Sequence, residues 1–260
     1  MSQTLRRTAL LACGATALLG LTACSSGTAA TPAAAPVPTH GSAAGSTAGS
    51  STPAAPASPS APASPSAPAL LTGTKLNSLL LPGTAFPAGF KPDPDGSRST
   101  GDGYNPPMAP SAVPSPHSCD LLNTSAWITA SGVSAASFAQ NDYQDASQDM
   151  IAQELDGFRG DDAKAAMSAL TKALTACHSF TVTQNGQRYP VTVTVKPLPG
   201  LGDEALQATL TSPSFSGGTT MVATRTGSYL AATYDSSQSS SGSAAVGFAK
   251  TLAKALPPTS

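Results

Sequence analysis

Residues 180–196 read FTVTQNGQRYPVTVTVK, and this stretch decides the fold class. Asn185-Gly186 is a strong two-residue hairpin signal, because both residue types accept the positive φ that a type I′ turn requires. After the turn, Val191, Val193 and Val195 alternate with polar residues, which predicts a strand with one buried face. The chain is therefore expected to contain an antiparallel sheet with tightly connected strands.

A helix and a second hairpin flank this region. The helix is predicted at Asp161–Cys177, where apolar side chains recur at helical spacing: Ala163, Met167, Leu170, Leu174 and Cys177. Cys177 is thus expected to face inward. Beyond the first hairpin, Thr226-Gly227 joins the predicted strands Met221–Arg225 and Tyr229–Tyr234. A last helix is predicted from Phe248, Leu252 and Leu256, which are spaced by four.

Shorter signals predict the other elements. Helices are expected at Lys75–Leu81 and Asp120–Ala130, and strands at Ser137–Tyr143 and Asp149–Leu155. Lys91–Ser118 is rich in Pro, Gly and Asp, which is typical of a long surface loop, and Asp203-Glu204 is expected to cap a helical turn. The predicted fold class is α+β, a twisted antiparallel sheet with helices packed on one side.

The N-terminus has the pattern of an export signal. Arg6-Arg7 precedes a mostly apolar run, Ala9–Leu21, which is too short to span a bilayer as a helix. The run ends in Leu21-Thr22-Ala23-Cys24, which resembles the lipobox of bacterial lipoproteins. This resemblance implies a signal peptide at residues 1–23 and a diacylglyceryl group on the Cys24 thiol, which would anchor the chain to the extracytoplasmic face of the cell membrane. An ordinary secretory signal with a chance cysteine is the alternative, and Sec and twin-arginine export both stay open.

Residues 24–70 are predicted to be a disordered tether. From Ser25 to Leu70 the only side chain that can carry a charge is His40, when it is protonated, and large apolar residues are almost absent, so the segment cannot bury enough surface to fold. The sequence of residues 57–62 is repeated at residues 63–68, and its proline spacing favours extended polyproline II. The Ser and Thr residues are candidate sites for O-linked sugars. Residues 71–260 remain as one folded domain.

Several short motifs carry a family resemblance: Leu79-Leu80-Leu81-Pro82, Phe86-Pro87-Ala88-Gly89-Phe90, Cys119-Asp120-Leu121-Leu122, Leu201-Gly202-Asp203-Glu204-Ala205 and Arg225-Thr226-Gly227-Ser228-Tyr229. Together with the order of elements, they resemble actinobacterial lipoproteins related to the extracellular sensor domain of the mycobacterial kinase PknH. The resemblance spans most of Leu71–Leu256 and implies a twisted antiparallel sheet with helices beside a ligand-binding cleft. The chain departs from the kinase sensors in having two domain cysteines instead of four and no kinase domain or membrane helix, so direct signalling is not expected.

Cys119 and Cys177 are the only cysteines after the tether. Because an exported chain meets an oxidising environment, they are predicted to form a disulfide. The alternative is a zinc site completed by His117 and His178, but adjacent helix positions are awkward to aim at one ion. No metal and no cofactor are expected.

An acidic stretch is the other candidate for chemistry, comprising Asp142, Asp145, Asp149, Glu154, Asp156, Asp161 and Asp162. It could supply a carboxylate pair or calcium ligands, but its spacing matches no calcium loop, and a solvated surface is favoured. With two histidines and no Gly-x-Ser-x-Gly motif in the domain, a catalytic triad is unsupported.

These patterns favour a non-catalytic, sensor-like envelope module over an enzyme. The expected partners are the membrane, through the lipid, and a small hydrophobic ligand or an envelope protein. Removal of Arg6 and Arg7 moves the formal net charge from −1 to −3, which makes nucleic acid an unfavourable partner. The alternatives are an envelope hydrolase or modifying enzyme, with clustered histidines and carboxylates of perturbed acidity, and a structural wall-associated module.

Overall fold

The computed structural model describes residues 69–113, 117–184, 186–214, 218–236 and 243–257. All of them belong to one compact unit, Ala63–Ser260. The predicted signal peptide, the lipidation site Cys24 and the tether up to residue 68 lie outside the described residues, as does Asn185 of the first predicted hairpin. Those predictions therefore stay predictions.

Four helices and eight strands are found in the described ranges. The helices are α1 (Gly73–Asn77), α2 (His117–Leu121), α3 (Asp162–Ala176) and α4 (Ser243–Ala255), with short 3-10 turns at Gly83–Ala85 and Trp127–Ser131. The strands are β1 (Lys91–Ser99), β2 (Ser137–Gln144), β3 (Met150–Gly157), β4 (Ser179–Gln184), β5 (Gln187–Pro197), β6 (Glu204–Thr211), β7 (Thr219–Thr226) and β8 (Tyr229–Asp235).

All eight strands form one antiparallel sheet in the order β1-β2-β3-β8-β7-β6-β5-β4. Within β1 to β3, and within β4 to β8, strands that are consecutive in the chain are neighbours in the sheet. The two sets meet in the β3–β8 ladder, which runs from Ile151 opposite Asp235 to Gly157 opposite Tyr229. The last strand to be synthesised therefore lies in the interior of the sheet.

Helices cover both faces of this sheet. On the first, here called the α3 face, Met167 and Leu170 of α3 share a core with Met221 and Leu230 of the sheet. On the opposite, α4 face, Leu76 of α1 and Leu252 of α4 pack with Ala231, and α4 alanines pack with Val222. The α+β class with an antiparallel sheet is confirmed, but the prediction that helices lie on one side is wrong, since the alternation of β8 buries apolar residues on both faces.

Most predicted elements occur close to their expected positions, with three differences. Lys91–Ser99 is strand β1 where a loop was expected, and Glu204–Thr211 is strand β6 where a capped helical turn was expected. The helix predicted at Asp120–Ala130 is divided: α2 ends at Leu121, and a separate 3-10 turn carries the fully buried Trp127. Both predicted hairpins are present, as the β4–β5 and β7–β8 pairs.

Candidate ligand-binding cavity

A cavity of about 370 Å³ lies on the α3 face of strands β1 to β3. Its floor is the sheet itself. Its other walls come from residues 105–113, which follow β1, and residues 126–135, which include the second 3-10 turn. These two segments are called the covering layer below. The volume falls in the range of small-molecule sites.

Hydrogen bonds hold the covering layer in place. The Asn105 amide N–H donates to the Ala136 carbonyl at 2.7 Å, and the Asn105 side chain donates to the Ala135 carbonyl at 3.0 Å. Farther along, the Ser111 N–H donates to the Gly132 carbonyl at 2.9 Å. Gly132 has φ +68°, and a Cβ there would overlap the Ser111 carbonyl oxygen, so only glycine permits this close approach of the two segments.

The walls of the cavity are largely apolar. Their larger apolar side chains are Met108, Val113, Ile128, Val133, Phe138 and Phe158. Phe158, which directly follows β3, is fully buried, whereas Met108 is 62% exposed and lies at the rim. An exposed thioether beside an apolar cavity provides an adaptable contact for an apolar ligand.

Two carboxyl groups stand on the floor. Glu154 and Asp156 are two residues apart on β3, so both side chains project from the same face, the α3 face, into the cavity. Glu154 is 6% exposed and Asp156 is 2% exposed. Oε2 of Glu154 and Oδ2 of Asp156 are buried and accept no hydrogen bond from any described group outside the pair. Buried acceptors without a donor are rare in folded proteins and point to a functional site.

Burial changes the acidity of this pair. It raises the pKa of Glu154 to about 7; the hydrogen bond from Asp156 and the charge of Arg98 oppose this rise, and the charge of Asp142 adds to it. Burial also raises the pKa of Asp156 well above its usual range, and the charge of Glu154 and the hydrogen bond between the two groups raise it further. Both effects therefore favour one proton shared between the two carboxyl groups over two ionised carboxylates.

A chain of polar groups crosses the sheet beside the pair. Gln140 lies directly opposite Glu154, and Arg98 lies directly opposite Gln140. The Arg98 guanidinium donates to Gln140 Oε1 at 3.4 Å, and the Gln140 amide donates to Asp142 Oδ1 at 2.9 Å and to Ser125 Oγ at 3.1 Å. Burial raises the pKa of Asp142, although its hydrogen bonds with Gln140 and Ser125 oppose this. Arg98 is thus committed to Gln140 and lies two strands from Glu154.

The solvated-surface interpretation of the acidic stretch is wrong for three of its members. Asp142, Glu154 and Asp156 are buried on the floor or beside it, because β2 and β3 alternate and the covering layer shields this face. Asp145 instead shapes the β2–β3 turn, where it accepts hydrogen bonds from the Ser147 and Asp149 amides. Within the described ranges no cluster of three His, Cys, Asp or Glu residues could hold a metal ion.

Cys119 and Cys177 form the predicted disulfide, with their Cα atoms 5.4 Å apart. It joins α2 to the end of α3 and is buried against the core of the α3 face. Because the two sulfurs are bonded to each other, the zinc alternative is wrong. His117 and His178 are exposed, and neither is among the described residues that line the cavity.

Two of the motifs that carry the family resemblance meet away from the cavity. The Asp203 carboxylate accepts hydrogen bonds from the Arg225 guanidinium at 2.9 Å and from the Gly227 amide at 2.7 Å. Gly202 precedes this aspartate at φ +60°, and a Cβ there would overlap the Arg225 carbonyl oxygen. These motifs therefore fix how the β5–β6 connection packs on the β7–β8 hairpin.

Comparison with known proteins shows the fold. No family model matches the chain, and no curated protein matches it. Among solved structures, it is similar to the extracellular domain of PknH from Mycobacterium tuberculosis, with a TM-score of 0.55 and 15% identity, covering 72% of this chain and 97% of that one. The resemblance inferred from the motifs is confirmed at the level of the fold. No helix in the part of the chain that the structure describes is long and apolar enough to cross a membrane.

Proposed function

We propose that this chain is an extracytoplasmic, sensor-like lipoprotein whose domain binds a small ligand without transforming it. The cavity carries the proposal, because an apolar space of about 370 Å³ with a few convergent buried polar groups is the usual form of a small-molecule site. The covering layer is bonded to Ala136, whose own amide donates to Gly157 of β3, so the space exists before a ligand arrives. A preformed site loses less conformational entropy on binding.

Three observations support the location. The N-terminal pattern ends in the lipobox-like Leu21-Thr22-Ala23-Cys24. The buried disulfide is typical of chains that fold in an oxidising compartment. The solved structure with the same fold is an extracellular domain. A lipid on Cys24 would hold the chain at the outer surface of the membrane, and the tether would let the domain reach away from it.

Native mass spectrometry tests binding. The protein is purified gently from its own envelope and weighed before and after denaturation, and we expect an extra mass that denaturation removes. Val133→Trp fills the cavity and should abolish this mass, whereas Ala165→Trp on the exposed side of α3 should retain it. A bare wild-type mass, or an extra mass that survives Val133→Trp, would contradict binding in this cavity.

Cell fractionation tests the anchor. Cys24→Ala should move the protein from the membrane fraction to the soluble fraction and remove the mass of the diacylglyceryl group. Cys13→Ala is the matched control, because this cysteine lies inside the apolar run of the signal peptide and should leave both results unchanged. A Cys24→Ala protein that stays on the membrane would contradict lipid anchoring at this residue.

An envelope hydrolase is the second candidate, and the Glu154–Asp156 pair is the observation that favours it, since acids of perturbed pKa often mark catalytic sites. No histidine is among the described residues that line the cavity. The identity of the bound molecule separates the two functions. An intact ligand released unchanged after long incubation supports binding, whereas a product that accumulates with wild type and not with Glu154→Gln supports catalysis.

A further inference from the structure

Within the described residues, no side chain outside the pair donates a hydrogen bond to the two acids on the cavity floor. Oε2 of Glu154 and Oδ2 of Asp156 are both buried, and both side chains line the cavity. A buried acceptor left without a donor costs about 1–3 kcal/mol. The single proton that the pair shares leaves most of its acceptor sites unused, so a molecule that brought two donors to this point would gain a hydrogen bond to each group.

The surroundings also leave the pair without a compensating cation. Arg98 on β1 is the one cationic side chain among the described residues that line the cavity, and it donates to Gln140. Asp142 on β2 adds negative charge nearby, and the covering layer contributes no charged side chain to the described lining. The potential at the floor therefore favours a positively charged group and disfavours an anion.

We propose that the ligand of this cavity is a cationic amphiphile, with an ammonium group seated on Glu154 and Asp156 and an apolar body along Ile128, Val133 and Phe158. This inference rests on the proposed function, because it specifies what the cavity binds. An ammonium group has three donors and can satisfy both free oxygens, whereas a hydroxyl has one donor and a carboxylate has none. The apolar walls account for the rest of the molecule.

Proton release should accompany binding. An ammonium group favours the ionised form of Glu154, whose pKa burial raises to about 7, so its arrival displaces the proton from the pair. An ammonium ion should therefore bind more tightly as the pH rises through this range and release about 0.75 proton at pH 6.5. A neutral alcohol of the same shape should release none.

Titration calorimetry of the purified protein with matched probes tests this. The probes are 4-phenylbutylamine, 4-phenylbutan-1-ol and 4-phenylbutyrate, which share one apolar body and differ in the polar group. At pH 7.5 we expect the amine to bind about tenfold more tightly than the alcohol, since hydrogen bonds to charged groups are the stronger ones, and the carboxylate to bind most weakly. Between pH 7.5 and pH 5.5 the amine should lose about twentyfold in affinity.

Variants assign the effect to the pair. Glu154→Gln should weaken amine binding and remove its pH dependence, and Asp156→Asn is a second variant if the first folds poorly. Asp120→Asn removes an exposed carboxylate on α2 and should change neither property. If the alcohol or the carboxylate binds as tightly as the amine, or if amine binding does not depend on pH, the ligand does not carry an ammonium group. The proposed binding function of the cavity is then retained. If none of the three probes binds, this inference fails, and the native mass measurement decides the proposed binding function separately.

Discussion

Replacing Glu154 by Gln should make the protein more stable at high pH. Glu154 is 6% exposed and lacks a partner for one oxygen, so its ionised form is unfavourable in the folded state. Glutamine has nearly the same shape, keeps an acceptor for the Asp156 proton and never ionises. The gain should therefore appear only under conditions in which wild-type Glu154 is forced to carry charge.

The size of the effect follows from the pKa of Glu154, which burial raises from 4.5 to about 7. The folded state holds this proton more tightly than the unfolded chain does. The free energy of unfolding thus decreases as the pH rises from about 4.5 to 7 and changes little above that range. The gap between the two pKa values corresponds to about 3 kcal/mol, of which about 2–3 kcal/mol falls between pH 5 and pH 8.

Urea denaturation of wild type and Glu154→Gln at pH 5 and pH 8 measures this effect. The advantage of the variant should grow by about 2–3 kcal/mol between the two values, or roughly 5–10 °C in Tm for a domain of this size. Asp120→Asn, which alters an exposed carboxylate, should follow wild type at both values. If the advantage of Glu154→Gln is the same at pH 5 and pH 8, burial does not raise the pKa of the Glu154 carboxyl group.

Three further changes test other parts of the structure through urea denaturation. Replacing both Cys119 and Cys177 by Ala should cost about 4 kcal/mol, because the disulfide closes a 58-residue separation, and added reductant should then have no further effect. Gly202→Ala should destabilise the protein more than Gly200→Ala, because both glycines have positive φ but only a Cβ at position 202 would lie within 4 Å of neighbouring backbone. Equal losses of stability would contradict the close approach of Gly202 to Arg225. Trp127→Ala should cost about 3–5 kcal/mol because this side chain is fully buried, and a loss under 1 kcal/mol would contradict its place in the core.

The sequence predicts the regular elements well and the edge of the sheet poorly. The first hairpin and α3 were predictable because their periodicities are clear and each has one buried side. β1 was missed because Pro92, Pro94 and Gly96 are loop residues by composition. The structure places them in an edge strand, with a register shift between Asp93 and Arg98, where prolines need not donate to a second neighbour. β6 was missed because Ala205 and Leu206 are buried on opposite faces, which removes the alternation.

The sequence predicts which strand face carries the two acids of the candidate site, but not that this face is buried. Strand spacing alone places Glu154 and Asp156 on one face, and Ile151 and Leu155 on the other face indicate a strand buried on that side. Whether the acidic face meets solvent depends on which segment covers it. That segment includes residues 105–113, some forty positions earlier, which have no periodicity of their own. Local patterns carry no information about such distant packing, so the solvated-surface interpretation was favoured.

The position of β8 between β3 and β7 also constrains how the chain can fold as it is made. Strands β1 to β3 are close in sequence and can pair first. The other edge of β3 stays unpaired until β8 is available, and β8 ends at Asp235, almost eighty residues after β3. During that interval the backbone groups along this edge of β3 have no strand partner, and an exposed strand edge can pair with another chain. The arrival of β8 fills this edge, so the sheet is protected from edge-to-edge association only once its last strand is in place.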